Sequence, residues 1–429
     1  MRFKTWAWGL SVAAATLLTA CGGGGDSSTA QMRLLNASIG YAALDMSVDS
    51  TTVNSAVAYA GVGSYADVKT SATGTEIQSN SVGSTLASST PTLAAGSHYA
   101  MIAYGSAGSL QTTLLQEDQE APASGKSKLL VLNLAPDAGS MDVYVTGADE
   151  TLDTASTVAA GIAAGSGSGY VSLNSGTFRV RLTAAGSKSD VRLDIPSITL
   201  PSAGVSTLVL TGSAGGVLVN GIQLIQQGAT TNFPNTTARA RLVAAVGGSA
   251  LVSGSVGQTA LMPTSVAPTI GDYTTLTAGA ADLSVYVNGQ LMSFAKPTLV
   301  AGNDYTLMVW GPAASPQLAV LTDDNRLPTS PTTTAKIRLV NGVASAATGL
   351  TLNVDYSALA SNVVAGTAST AQTTPASTSA LLTVTSPSST TPVYSLSDLG
   401  ITAGYVYTVF VMGDSTAMVG SLRRERTNN

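Results

Sequence analysis

The sequence predicts an all-β fold of tandem β-sandwich units, and three features carry that expectation. Hydrophobic residues make up 44% of the 429 positions but fall into short Val, Leu, Ile and Tyr runs bounded by Gly and Pro. Runs of that kind read as strands. Charged residues are only 10% of the chain, and Ser, Thr, Ala and Gly take their place. Low charge marks disorder when hydrophobicity is also low, which is not the case here. Finally, the chain repeats itself four times, and a repeat sets the architecture.

The first element, residues 1–20, is read as an export signal. Arg2 and Lys4 give a positive start, an apolar stretch runs from Trp6 to Leu18, and Thr19 and Ala20 precede Cys21, the only cysteine. The apolar run is shorter than the roughly 20 residues a membrane-spanning helix needs. Its charge, apolar and small-residue order is that of a removable signal. The segment resembles a bacterial lipoprotein signal with its lipobox. That resemblance implies lipid on the Cys21 sulfur and a membrane as partner through it. Gly22, rather than Asp, follows Cys21, which by the same resemblance implies the outer membrane, facing periplasm or medium. Acyl chains contribute ~0.8 kcal/mol per buried CH₂, so several on one N-terminus anchor firmly. Residues 21–30, beginning with Cys21 and four glycines, are read as a Gly/Ser tether.

Removing residues 1–20 leaves 17 Lys and Arg against 24 Asp and Glu, a net charge near −7. Phosphate neutralisation requires clustered cations, so nucleic acid is excluded as a partner. The C-terminal Arg423, Arg424 and Arg426 are read as a solvated tail. With its one cysteine assigned to lipid, the chain has no disulfide to rely on. Apolar burial and ladder hydrogen bonds must hold the fold.

Four repeats are assigned, at 31–118, 127–228, 237–327 and 334–422, the third divergent. Each opens with an apolar strand: Met32 to Asn36, Lys128 to Asn133, Ala238 to Val243 and Ala335 to Asn341. Each ends with a glycine-bounded apolar run after Gly96, Gly204, Gly302 or Gly404, at spacings of 108, 98 and 102 residues. Glycine reaches the positive φ that tight turns need. Tyr99, Tyr305 and Tyr407 follow three places later, with Thr207 in the second copy. These runs are apolar on both faces, as in strands covered on both sides. The second copy adds a hairpin that turns at Asn174-Ser175-Gly176, after which Phe178, Val180 and Leu182 alternate with Arg179 and Arg181. The spacing from Asn36 to Asp45 matches that from Asn133 to Asp142. Linkers are placed at Glu117 to Lys126, Gln227 to Thr237 and Leu327 to Thr334, and Thr367 to Pro392 is read as an exposed loop or insertion.

The opening strand with Pro136-Asp137-Ala138 and Asp142-Val143-Tyr144-Val145, the Gly176-Thr177-Phe178-Arg179-Val180-Arg181 hairpin and the Ala-Gly-x-x-Tyr strand resemble the DUF4397 domain of bacterial envelope proteins. The resemblance spans most of 31–421. It implies immunoglobulin-like or transthyretin-like β-sandwiches and an envelope location, and it brings no activity and no site residues. The third copy departs from it at Ala244-Ala245-Val246-Gly247-Gly248, which replaces the Pro-Asp turn.

The search for chemistry yields little. His98 is the only histidine, so any Ser-His-Asp site must use it. It lies at a turn position that varies among the copies and reads as a variable turn residue. Gly165-Ser166-Gly167-Ser168-Gly169 places glycine where a nucleophile elbow needs serine and reads as a flexible loop. Zinc sites are built mainly from His and Cys ligands, and the chain has one of each, with Cys21 assigned to lipid. Calcium needs only oxygens, and Asp45 with Asp49, Asp137 with Asp142, and Asp323 with Asp324 are the candidate pairs. Turn-capping or solvated carboxylates account for them better. No catalytic residue, metal or cofactor is assigned.

The sequence thus favours a non-catalytic, lipid-anchored cell-envelope protein that binds an envelope macromolecule or polysaccharide, adheres, or braces the envelope. The alternative is a carbohydrate-binding surface module, which a planar row of exposed tyrosines would support. An enzyme would need carboxylates from different strands converging in a pocket. A membrane barrel is disfavoured because aromatic residues are only 5% of the chain.

Overall fold

The computed structural model describes residues 28–72, 74–329, 333–344 and 349–426, so the signal and Cys21 lie outside the described residues. Every regular element among these residues is a strand. The first begins at Thr29, inside the stretch read as tether.

The strands form four two-sheet units built to one plan. The opening strands are Thr29–Ser38, Lys126–Leu134, Thr237–Ala244 and Thr334–Ala344. The late strands are His98–Gly105, Gly204–Thr211, Asp304–Trp310 and Val406–Asp414. In every unit the two are hydrogen-bonded in parallel at the centre of one sheet, while the other pairings are antiparallel. The second sheet of the sandwich is a four-stranded antiparallel one, for example around Ala43–Val48 in the first unit and Leu251–Val256 in the third. The third copy, despite its altered turn, builds both sheets.

Burial explains why the late strands are apolar throughout. In the first unit Tyr99, Met101 and Ala103 face the sandwich core with Met32 and Leu34. The alternate residues Ala100, Ile102 and Tyr104 face outward with Leu35 and Ala37, and there they meet Leu134, Val209, Ile222 and Leu224 of the second unit. Units one and two therefore stand back to back. Units three and four do the same through Val243, Ala245, Met308, Val340, Phe410 and Met412.

One extra strand sets how the two pairs meet. Opening and late strands run from what we term the base of a unit to its tip, and each late strand returns to the base through its hairpin partner, as Gln111–Gln116 does in the first unit. The first unit thus hands the chain to its neighbour at the base, and the pair stands side by side. In the second unit the chain climbs again. Thr230–Phe233, within a segment read as linker, pairs antiparallel with Asn220–Ile225 and carries the chain back to the tip. There Asn235 donates to the Arg192 and Val219 carbonyls and accepts from Thr237 N. The third unit starts above the second, giving two tiers.

Three other expectations change. The left-handed turn residue of the second unit is Ala203 (φ 55°), not Gly204. Its N–H bonds Lys126 O as Gly96, Gly302 and Gly404 bond Thr29, Thr237 and Thr334, each at 2.8 Å. The tyrosine position in that copy is therefore Ser206, not Thr207; the turn residue lies three places after Leu200, as it lies three after Leu93, Leu299 and Ile401, and the glycine of this copy stands one place beyond it. The Thr367 to Pro392 stretch is mostly strand, with Ala380, Leu382 and Val384 in the core. Ser166–Gly167 is a short strand on Leu132 and Asn133, and Ser168 Oγ accepts from Val131 N at 3.0 Å, so this segment is laddered rather than a loop.

Candidate functional site

None of the carboxylate pairs singled out in the sequence forms a common site, and each residue is engaged where it stands; Asp137 and Asp324, from different pairs, line one cleft at the tier junction. Asp45 Oδ1 accepts from Ala56 N at 2.6 Å, and Asp142 accepts from Gly161 N and Gly186 N at 2.7 and 2.8 Å. Ala56 and Gly161 both have positive φ. The two carboxylates thus fasten the same strand irregularity in units one and two, where the ladder shifts register beside each Asp. Asp49 lies beyond the strand carrying Asp45 and accepts from Gly74 N. Asp137 is bound elsewhere, its Oδ1 accepting from Leu327 N of the upper tier at 2.6 Å. Asp323 is buried, whereas Asp324 faces Arg326 and Lys336. Among the described residues no group of three or more His, Cys, Asp and Glu side chains is placed to hold a metal ion.

His98 pairs with Asp118 at 2.8 Å and packs edge-on to Tyr65, the ring centroids 5.2 Å apart. Burial raises the Asp118 carboxyl, but hydrogen bonds from the His98 backbone and ring outweigh it and leave the pKa lowered. Among the described residues the His98 ring hydrogen-bonds Asp118 and no serine.

The most elaborate polar cluster is one the sequence reading missed. Arg33, Arg241 and Arg338 stand at the same place in three opening strands, on the outward face, and all are buried. Arg33 holds Glu117 through two bonds of 2.8 and 2.6 Å and donates to Gly228 O of the second unit at 2.7 Å. In the upper tier the pairing is exchanged between units. Arg241 of unit three grips Glu425 of unit four at 2.8 and 2.7 Å, and Arg338 of unit four reaches Asp323 of unit three at 2.6 Å. Thr306 and Thr408 hydroxyls accept from the two arginine Nε atoms. Tyr273 lies under the Arg241 guanidinium at 4.4 Å and donates to Asp323, as Tyr65 lies under Arg33 at 4.5 Å and donates to Glu117. Burial first, then the carboxylate partner, raises the pKa of both phenols. The second unit carries Leu130 and Gln226 at the arginine and carboxylate places. A charged residue recurring inside an apolar opening strand was the signal available.

Where the tiers meet, a cleft of about 750 Å³ is lined by Tyr104, Pro136, Asp137, Asp324, Arg326 and Lys336, among others. Burial raises the Asp137 pKa against the Leu327 N–H and nearby cations. Burial acts on Asp324 in the same sense, but hydrogen bonds from Arg326 and Lys336 prevail and hold it at about 2. Arg426 is not a solvated tail residue. It is half-buried at this junction, donating to Asp137 O and Gly216 O, and desolvation with Arg192 and Arg239 nearby lowers its pKa to about 10.

Tandem all-β sandwiches docked through their sheets define the class. The chain belongs to the family described as a domain of unknown function, DUF4397, whose profile matches residues 30–144 and 238–347. Arg33 and Arg241, like Tyr65 and Tyr273, are separated by the offset between the starts of those two matches. No curated protein matches the chain. Among solved structures, it is similar to a candidate cell adhesion protein from Bacteroides uniformis at 13% identity and a TM-score of 0.20, over 47% of this chain and 99% of the other. Another, from Parabacteroides distasonis, has 12% identity and a TM-score of 0.17 over 71% and 99%. The Bacillus anthracis TIE protein has 10% identity and a TM-score of 0.14 over 90% and 69%.

Proposed function

We propose that this is a non-catalytic, lipid-anchored cell-envelope protein whose four β units act together as one interaction, adhesion or bracing module. One observation carries the reading: the polar side chains that chemistry would require are committed to turns, to unit interfaces and to the tier junction. Asp45 and Asp142 fasten strand bulges, Glu117 and Asp323 neutralise buried arginines, and Asp137 ties the tiers. Anchoring rests on the lipobox resemblance at Cys21. The large exposed tyrosines, Tyr286 and Tyr356, lie on different units and form no row, so nothing favours the sugar-binding alternative.

The test has two arms. Cys21→Ser is expected to move the protein from the membrane pellet to the soluble envelope fraction with its fold unchanged; a variant that still pelleted without a partner would contradict the anchor. His98→Ala, Asp45→Asn and Asp142→Asn are then assayed for capture of envelope components by the mature chain. Equal capture is expected from each folded variant. Loss of capture from one of them with normal folding and export would point to a localised site instead.

A further inference from the structure

We propose that Glu425 and Arg426 form a clasp: Glu425 locks unit four onto unit three, and Arg426 locks the upper tier onto the lower. Both sit on the final strand, Ala417–Arg426, and reach different partners from neighbouring positions. Glu425 takes the buried Arg241 guanidinium in a two-bond grip, its side chain only 4% exposed. Arg426 crosses the junction to the carbonyls of Asp137 and Gly216.

Adjacent strand residues normally point to opposite faces, so a regular strand would not bring both side chains inward. The chain solves this with a register shift. Val406 is opposite Arg426 and Tyr407 is opposite Arg424, which leaves Glu425 as the additional residue of a bulge. Bulges re-aim side chains. The corresponding hairpins of units one, two and three run without a shift. The irregularity is therefore confined to the strand that must serve two interfaces.

The seat on the lower tier is shaped for close approach. A Cβ on Gly215 would come within 2.7 Å of Asp304 N, and one on Gly216 within 2.6 Å of Arg326 N. Gly215 N donates to Gly302 O at 2.8 Å across the same boundary. The cost is also visible. Among the described residues the Arg426 side chain donates to carbonyls and to no carboxylate, Arg192 and Arg239 lie near, and the buried Arg192 Nε and Ser213 Oγ have no partner. Apolar packing is supplied within tiers, through Ile102 with Val209 below and Met308 with Phe410 above. The clasp supplies polar fastening between tiers.

The test uses the full mature chain with Cys21→Ser, spin-labelled at pairs of introduced cysteines. Val82→Cys with Leu291→Cys reports the separation of the tiers, and Leu291→Cys with Val364→Cys that of units three and four; all three positions are exposed. Arg426→Gln is expected to replace a single sharp inter-tier distance with a broad distribution while the upper-tier distance stays sharp. Truncation after Arg424 is expected to broaden both. Unchanged distances in both variants would overturn the proposal. So would a loss of the upper-tier distance in Arg426→Gln, because the clasp confines that side chain's effect to the junction.

Discussion

At the residue scale, the buried arginines are the feature with the largest expected effect. Removing one partner of a buried ion pair leaves an uncompensated charge, which costs about 3–5 kcal/mol, whereas replacing both by residues of similar volume is often neutral. Arg241→Met should therefore destabilise the chain by about that amount, and Arg241→Met with Glu425→Gln should recover most of the loss. Urea unfolding of the single and double variants measures this; a double variant as unstable as the sum of the singles would contradict a direct coupling. Asp324 gives a pH dependence. Its folded pKa of about 2 lies below the ordinary 3.8, so its stabilisation is present above pH 3.8 and is lost as pH falls towards about 2. Asp137 works in the opposite sense, because its raised pKa means the buried charge opposes folding once ionised. Asp137→Asn keeps an acceptor for Leu327 N and removes that charge, so Tm at neutral pH should rise or hold, while Asp137→Ala should lower it. Equal Tm values for the two variants would argue against the bond.

At the scale of elements, the left-handed turn before each late strand has a clear energetic order. Three units use glycine there, at φ 73–78°, and the second uses Ala203 at 55°. An L-residue in that region costs roughly 1–2 kcal/mol, part of which glycine returns as unfolded-state entropy. Ala203→Gly should thus stabilise by up to about 1 kcal/mol, and Gly302→Ala should destabilise by a similar amount; thermal melts with the opposite order would refute the assignment. Behind the turn, Tyr99, Tyr305 and Tyr407 hydroxyls accept from Ala94, Val300 and Thr402 N at 3.0–3.1 Å. The repeated Gly-x-x-Tyr spacing made these turns legible in three copies. It misled in the second because pattern matching followed the glycine, while the backbone followed hydrogen bonding to Lys126. The parallel pairing of opening and late strands was not legible, since residues about seventy positions apart leave no local trace of which strands become neighbours. Asn36, Asn133 and Asn341, buried within the opening strands and donating to the Val57, Ile162 and Val363 carbonyls, were visible only as a recurring last letter of the apolar runs.

At the scale of the molecule, two-faced apolarity of the late strands foretold a second cover, and the neighbouring unit provides it. The tiering was hidden because Thr230–Phe233 is short, polar and composed like a linker. The carboxylate pairs looked like candidate sites from their spacing alone; the fold sends each member to a different turn or interface, which spacing does not report. Four units joined by buried sheets and a polar junction should behave as one body, unlike four beads on linkers. Small-angle X-ray scattering of the mature chain with Cys21→Ser tests this most directly. The expected result is one compact, moderately elongated particle, with a radius of gyration somewhat above the ~22 Å of a globular chain of this length. A much larger radius with the scattering of a flexible string would contradict it.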